Sequence, residues 1–369
     1  MRIKIPEYAD EYRIFSIALD DQTKEDLISE SVELIYVQAG SAVIFPGEKI
    51  LTKDAKVLTQ LKGLNNYDVV GISDEGILYR YYDDSSVENS FFITEKCNSN
   101  CIMCPSPDAS RKRGNGTEID DLITIASHIP SDVSHITITG GEPFMAGKRI
   151  FELLEYCREK FQRTEFLILT NARIFAINEY CRRLRDTMPE NTIVGVPVHG
   201  SCAEIHDALT RVENSFDQTL TGLRRLQSMG IPIEIRIVVC RLNAEDIGAI
   251  ARLIASRLRK VHHVNIMAME MTGNAYINAE KLWIPYRESF KHVKPAIDIL
   301  VSAGIDVSLY NYPLCTVEPK YRMLCAKSIS SWKIRFAEVC SSCDLKDSCG
   351  GIFAGSYRFE SSELEAVIV

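Results

Sequence analysis

Residues 97–104 read CNSNCIMC, placing Cys97, Cys101 and Cys104 three and then two residues apart. Three soft thiolates this close can wrap one face of a cubane iron–sulfur cluster. A [4Fe–4S] shell takes four ligands, so three thiolates leave one iron open to a substrate or cofactor. That is a catalytic arrangement rather than a purely electron-carrying one. Zinc is the alternative, but its usual grammar is paired CxxC units. A second group follows at Cys315, Cys325, Cys340, Cys343 and Cys349, ending in Gly350 and Gly351. CSSCDLKDSCGG supplies three thiols, and one upstream cysteine would complete a closed shell with one to spare. Structural zinc is the alternative here too. Cys157, Cys181, Cys202 and Cys240 are scattered and read as core packing. A further element, Gly140-Gly141-Glu142-Pro143, ends the run HITITGG. Glycines let backbone approach a ligand closely, and backbone groups or a carboxylate can grip an ammonium. An ordinary turn would read the same way.

These residues need elements to hold them. The chain has 369 residues, 46% apolar and 25% charged, an ordinary globular composition. Its net charge of −8 disfavours nucleic acid and membrane surfaces as partners. No apolar stretch is long enough to span a membrane, and the acidic, Pro-containing start does not read as a signal peptide. Twelve cysteines without a secretory signal point to a cytoplasmic protein. Residues 1–88 read as a small, mainly β module. It is either a packing unit or a docking surface whose sheet edge adds a peptide strand. Residues 89–310 alternate strands with helices, which predicts βαβ units and a parallel sheet. The strands are FFITEKC, HITITGG, FLILTN, TIVGVPV, IPIEIRIVV and VNIMAM. Six repeats are too few for a closed eight-fold barrel, so the fold class is α/β, a partial (β/α)6 TIM-like barrel. Residues 311–369 read as a small C-terminal iron–sulfur domain. Ligands of such sheets sit at the C-terminal strand ends, where Cys97 and Gly140 both fall. In IPIEIRIVVC, Ile233, Ile235, Ile237 and Val239 share one face, while Glu234, Arg236, Val238 and Cys240 share the other. A polar barrel interior is costly unless it meets a ligand or an ion pair. His199 ends TIVGVPVH and could face inward; His206-Asp207 opens the next helix and reads as a local cap at least as well as a site pair, so no catalytic acid or base is assigned.

CxxxCxxC followed one βα unit later by GGEP resembles the radical S-adenosylmethionine superfamily. The resemblance implies that Cys97, Cys101 and Cys104 hold a [4Fe–4S] cluster. It implies that the open iron chelates S-adenosylmethionine, and that one electron cleaves this to a 5′-deoxyadenosyl radical. Gly140, Gly141 and Glu142 would then contact the methionine amino group. Met103 stands where the superfamily commonly has an aromatic residue, and its thioether could pack on adenine. Asn171, ending FLILTN, resembles the superfamily's TNG-like strand end. Arg236 could meet the cofactor carboxylate or ribose, or simply pair with Glu234. FFITEKCNSNCIMCPSP, VNIMAMEMTGNA and NYPLC…CAKSISSWK…CSSCDLKDSCGG together resemble the His-Xaa-Ser system radical SAM maturases, C member. The C-terminal part is similar to SPASM and twitch domains. In that pattern the upstream ligand follows a Pro-Leu pair, which implies Cys315, Cys340, Cys343 and Cys349 as ligands of one auxiliary [4Fe–4S] cluster. Cys325 is then the spare. The implied partners are a precursor peptide, a second radical SAM maturase and an electron donor such as flavodoxin or ferredoxin. Other readings are the same chemistry on a small metabolite or RNA base, or a non-catalytic electron-transfer protein.

Overall fold

In the computed structural model, which describes residues 2–258, 260–359 and 363–369, the chain builds two sheets and a cysteine-rich tail region. The first sheet uses β1 (Arg2–Lys4), β2 (Arg13–Ala18), β3 (Leu34–Val37), β4 (Ala42–Phe45), β5 (Lys49–Thr52), β6 (Val69–Ile72) and β7 (Ile77–Tyr82) in the order 1-7-6-2-3-4-5. Two helices, Asp21–Ser29 and Ala55–Leu61, belong to this mainly β unit and were not foreseen. Each starts at an aspartate, Asp20 or Asp54, whose carboxylate accepts from the first helical N–H groups. Central β2 is buried on both faces. Phe15 and Ile17 point into the unit's own core, while Ile14 joins the main core. Its Ser16 hydroxyl meets His128 Nδ1 at 3.0 Å, a polar contact sealed inside the junction of the two units.

The second sheet is all parallel, and each strand neighbours the next in sequence. It runs β8 (Ser90–Phe92), β9 (His135–Thr139), β10 (Glu165–Leu169), β11 (Thr192–Pro197), β12 (Ile233–Val239), β13 (His263–Ala268), β14 (Val307–Tyr310) and β15 (Cys325–Ala326). β8 and β15 form its edges, so it is an open barrel. It has eight strands where six were expected, because VSLY and the two-residue CA segment are too short to stand out by periodicity. The boundary expected at 310 falls between the last two strands.

Right-handed crossovers require helices on the outer face. Ile150–Lys160, Asn178–Thr187, Ser215–Ser228, Ile247–Arg257 and Tyr286–Ser302 supply them. β12 shows the resulting division. Ile233, Ile235, Ile237 and Val239 are buried against the helices, and Glu234, Arg236 and Val238 face the lumen half-buried. Cys240, expected on the lumen face, instead turns into an apolar cluster with Met103, Met269 and Met271. Beyond β15 the chain makes short turns and one antiparallel ribbon, Ile334–Arg335 with Ile352–Phe353. Among the described residues no helix is long and apolar enough to cross a membrane.

Candidate active site

The loop carrying Cys97, Cys101 and Cys104 has little regular structure, so tertiary bonds must hold it. Its Asn100 and Ile102 N–H groups donate to the carbonyls of Thr210 and Leu209 at 3.1 and 2.9 Å. Arg173 donates to Asn98 O at 2.7 Å and Ser99 Oγ at 3.0 Å. Asn274 donates from Nδ2 to Cys101 O at 3.1 Å, and its backbone N–H reaches Cys104 O at 2.9 Å. Its side chain also holds Asp108 at 2.7 Å, and Asp108 pairs with Arg111. Arg111 stands beside the thiols. Burial pushes the Cys101 thiol up to about 12, and the Arg111 charge partly opposes it. Cys97 is shifted up by burial as well, while the Ser99 N–H donates to its sulfur at 3.4 Å.

Gly140 and Gly141 pack on backbone rather than standing free. An added Cβ would lie 2.5 Å from Thr94 O at Gly140 and 2.4 Å from Lys96 O at Gly141. The Gly141 and Glu142 N–H groups donate to those same carbonyls, Thr94 O and Lys96 O, at 2.6 and 2.8 Å. The element therefore fixes the segment that leads into Cys97. Glu142 is 1% exposed, and its carboxylate is fully engaged. It accepts from Thr170 Oγ1 at 2.8 Å, Asn171 N at 2.8 Å and Phe144 N at 3.3 Å. Burial pushes its carboxyl up, and those donors partly offset the shift.

Cys97, Cys101, Cys104, Gly140, Gly141, Asn171 and Arg236 all line one open cavity at the C-terminal strand ends. Two expected contacts do not. Glu142 lies beneath the wall, so a direct grip on an ammonium is replaced by support of the turn. Met103 is buried in the apolar cluster with Met269 and Met271, so its thioether faces core rather than ligand. Asn171 ties its Nδ2 to Asn98 Oδ1 at 2.6 Å and still borders the cavity. Arg236 bonds Glu234 through Nε at 2.6 Å, yet it also borders the cavity. His199 is buried against His206, which burial drives down to about 4, and neither borders the cavity. Asp207 caps the next helix through Ser215 and Phe216. Arg173, Arg111 and Asn274 belong to no motif that names them as site residues. Asn274 was visible only as part of MTGNA after β13.

The second cavity is lined by Cys315, Cys340, Cys343 and Cys349, together with Arg335, Leu364 and Glu365 among others. Cys325 does not border it. Its backbone sits in β15 opposite Leu309 and its side chain packs on the main core. Leu314 and Gly351 N–H groups each donate to the Cys349 sulfur at 3.4 Å. All twelve cysteines are free thiols. Among the described residues no three metal-binding side chains converge as around a single ion, whereas a cubane spreads its cysteines over several irons. The all-sulfur donor sets bordering each cavity suit iron–sulfur groups.

Residues 91–254 match the Radical SAM superfamily. This chain carries a radical SAM domain. An uncharacterized protein of Methanocaldococcus jannaschii is 30% identical over 157 residues, 41% of this chain and 52% of its own length. The antilisterial bacteriocin subtilosin biosynthesis protein AlbA of Bacillus subtilis is 24% identical over 275 residues, 73% of this chain and 58% of AlbA. The chain thus spans little more than half the length of these relatives. Among solved structures, Streptococcus suis SuiB bound to S-adenosylmethionine is similar with a TM-score of 0.49 and 15% identity, over 69% of this chain and 53% of SuiB.

Proposed function

We propose that this radical SAM domain serves an enzyme that modifies a ribosomally made precursor peptide. One observation carries the radical chemistry: three cysteines, the glycine pair, Asn171 and Arg236 border a single cavity at the strand ends. When bound, the cluster and S-adenosylmethionine supply one-electron cleavage to a 5′-deoxyadenosyl radical. Cys97, Cys101 and Cys104 would hold the first cluster. The Gly140–Gly141 backbone and Asn171 would orient the methionine end, and Arg236 the carboxylate or ribose. The apolar cluster behind Met103 closes the wall to water. Cys315, Cys340, Cys343 and Cys349 would hold an auxiliary cluster.

The peptide substrate is supported by AlbA, a relative named for bacteriocin biosynthesis that matches 73% of this chain. The partners on this reading are the precursor peptide, a second radical SAM maturase and a one-electron donor such as flavodoxin or ferredoxin. Free thiols throughout suit the reducing cytoplasm. The test is release of 5′-deoxyadenosine by anaerobically reconstituted, reduced protein. The triple Cys97→Ala, Cys101→Ala, Cys104→Ala variant should release none, and release at the normal rate would overturn the reading. Co-expression with short peptides encoded beside the gene should give a peptide mass change that the triple variant abolishes.

A further inference from the structure

The second cysteine cavity has a wall that its cysteine spacing does not announce. Residues 363–369 lie more than a dozen positions beyond Cys349, yet Leu364 and Glu365 border the cavity. The Val367 N–H donates to Cys343 Sγ at 3.3 Å. Cys343 therefore takes a hydrogen bond from this segment, while Cys349 takes its bonds from Leu314 and Gly351.

The segment is anchored at both ends. At one end the Glu363 carboxylate accepts from Arg287 N at 3.0 Å, in the first turn of Tyr286–Ser302. There it also complements the positive end of the helix. The Arg287 guanidinium bonds Glu363 O at 3.2 Å and pairs with Glu365. At the other end Asp344 N donates to Val367 O at 2.9 Å, and Val369 N returns a bond to the Asp344 carboxylate at 2.8 Å. Leu364 packs on the main core. Asp344 directly follows Cys343, so the segment grips the ligand loop as well as the helix of the barrel.

We propose that Val367 is a positioning residue of the auxiliary centre. Its backbone N–H holds Cys343 in place and sets the potential of the cluster that this thiol would help to hold. The inference rests on the iron–sulfur reading of this cavity. N–H donors to ligand sulfur stabilise the reduced, more negative state, so they raise the reduction potential. The same strap shields the sulfurs from water and ties the electron centre to the radical domain through Arg287.

The experiment uses the full chain, reconstituted anaerobically. Val367→Pro deletes one N–H donor without changing charge. Val367→Ala keeps the donor and controls for the side chain. Asp344→Ala frees the far anchor. We expect Val367→Pro to retain the wild-type iron content and shift the auxiliary centre to a more negative midpoint in an EPR-monitored titration. Val367→Ala should titrate like wild type. Asp344→Ala should lose the second cluster's iron to a chelator several-fold faster, with the first cluster unaffected. If Val367→Pro lost iron instead, the Asp344→Ala chelation rate would decide: an unchanged rate there overturns the inference. In a protein holding both clusters, an unmoved midpoint in Val367→Pro overturns it alone. Zinc, or only about four irons in the wild-type protein, overturns the iron–sulfur reading of the cavity and the inference with it.

Discussion

Glu142 shows what a buried carboxylate does when it faces backbone instead of solvent. Its two oxygens gather Thr170, Asn171 and Phe144, and its own N–H reaches Lys96 O. One residue, through its carboxylate and its backbone N–H, therefore links the ends of β9 and β10 to the approach to Cys97. Glu142→Gln substitutes an amide NH2 for one acceptor and turns an attraction into a clash of donors. It should lower stability by about 1–3 kcal/mol in chemical denaturation. It should also weaken S-adenosylmethionine binding several-fold, while iron loading stays near wild type. An unchanged denaturation midpoint would contradict the importance of these bonds. The motif was legible in the sequence, but its mechanics were not. The glycines suggested space for a ligand, and the structure shows them also making room for the Thr94 and Lys96 carbonyls. Met103 was misread because residue type says nothing about which side of a loop faces the cavity.

At the scale of elements, periodic segments were easy to read and loops were not. The Tyr286–Ser302 and Ser215–Ser228 helices announce themselves by apolar spacing, as β12 does by strict alternation. Arg173 and Asn274 escaped notice because their work is done through carbonyls far away in sequence, a relation that no local pattern records. The short strand β15 matters in the same way. It fixes Cys325 in the sheet, two residues before Lys327, and leaves the thiol against the core. Cys325→Ala should therefore keep about eight irons per chain, and Cys315→Ala should lose the second cluster and fall towards about four. Iron analysis with sulfide quantification checks both. Iron loss on removing Cys325 alone would reverse the ligand choice.

At the scale of the molecule, the junction between the two sheets carries a titratable bolt. Burial, with the nearby Lys160 charge adding to it, pushes His128 down to about 4. An unfolded histidine titrates near 6.5, so the unfolded chain takes up the proton first. The contribution to stability is thus complete above about pH 6.5 and is lost as pH falls towards 4. Its size is on the order of 3 kcal/mol. His128→Asn, which cannot titrate, should lose less stability over that window than wild type. Parallel stability curves for the two proteins would show that the junction does not sense pH. That β2 serves both cores was not readable, because a strand's alternation does not say what covers each of its faces.

The hold of Asn274 on the cysteine loop has a consequence in time. Asn274 lies 173 residues downstream of Cys101. At roughly 5–20 residues per second, a ribosome needs on the order of ten to thirty seconds to make that stretch. During that delay Cys97, Cys101 and Cys104 are already outside or near the tunnel exit, without the asparagine that later clasps their loop. They are then three neighbouring thiols on a flexible chain, free to oxidise into a pair and strand the third. The nascent chain therefore needs reducing surroundings before any wall of the cavity exists to protect it.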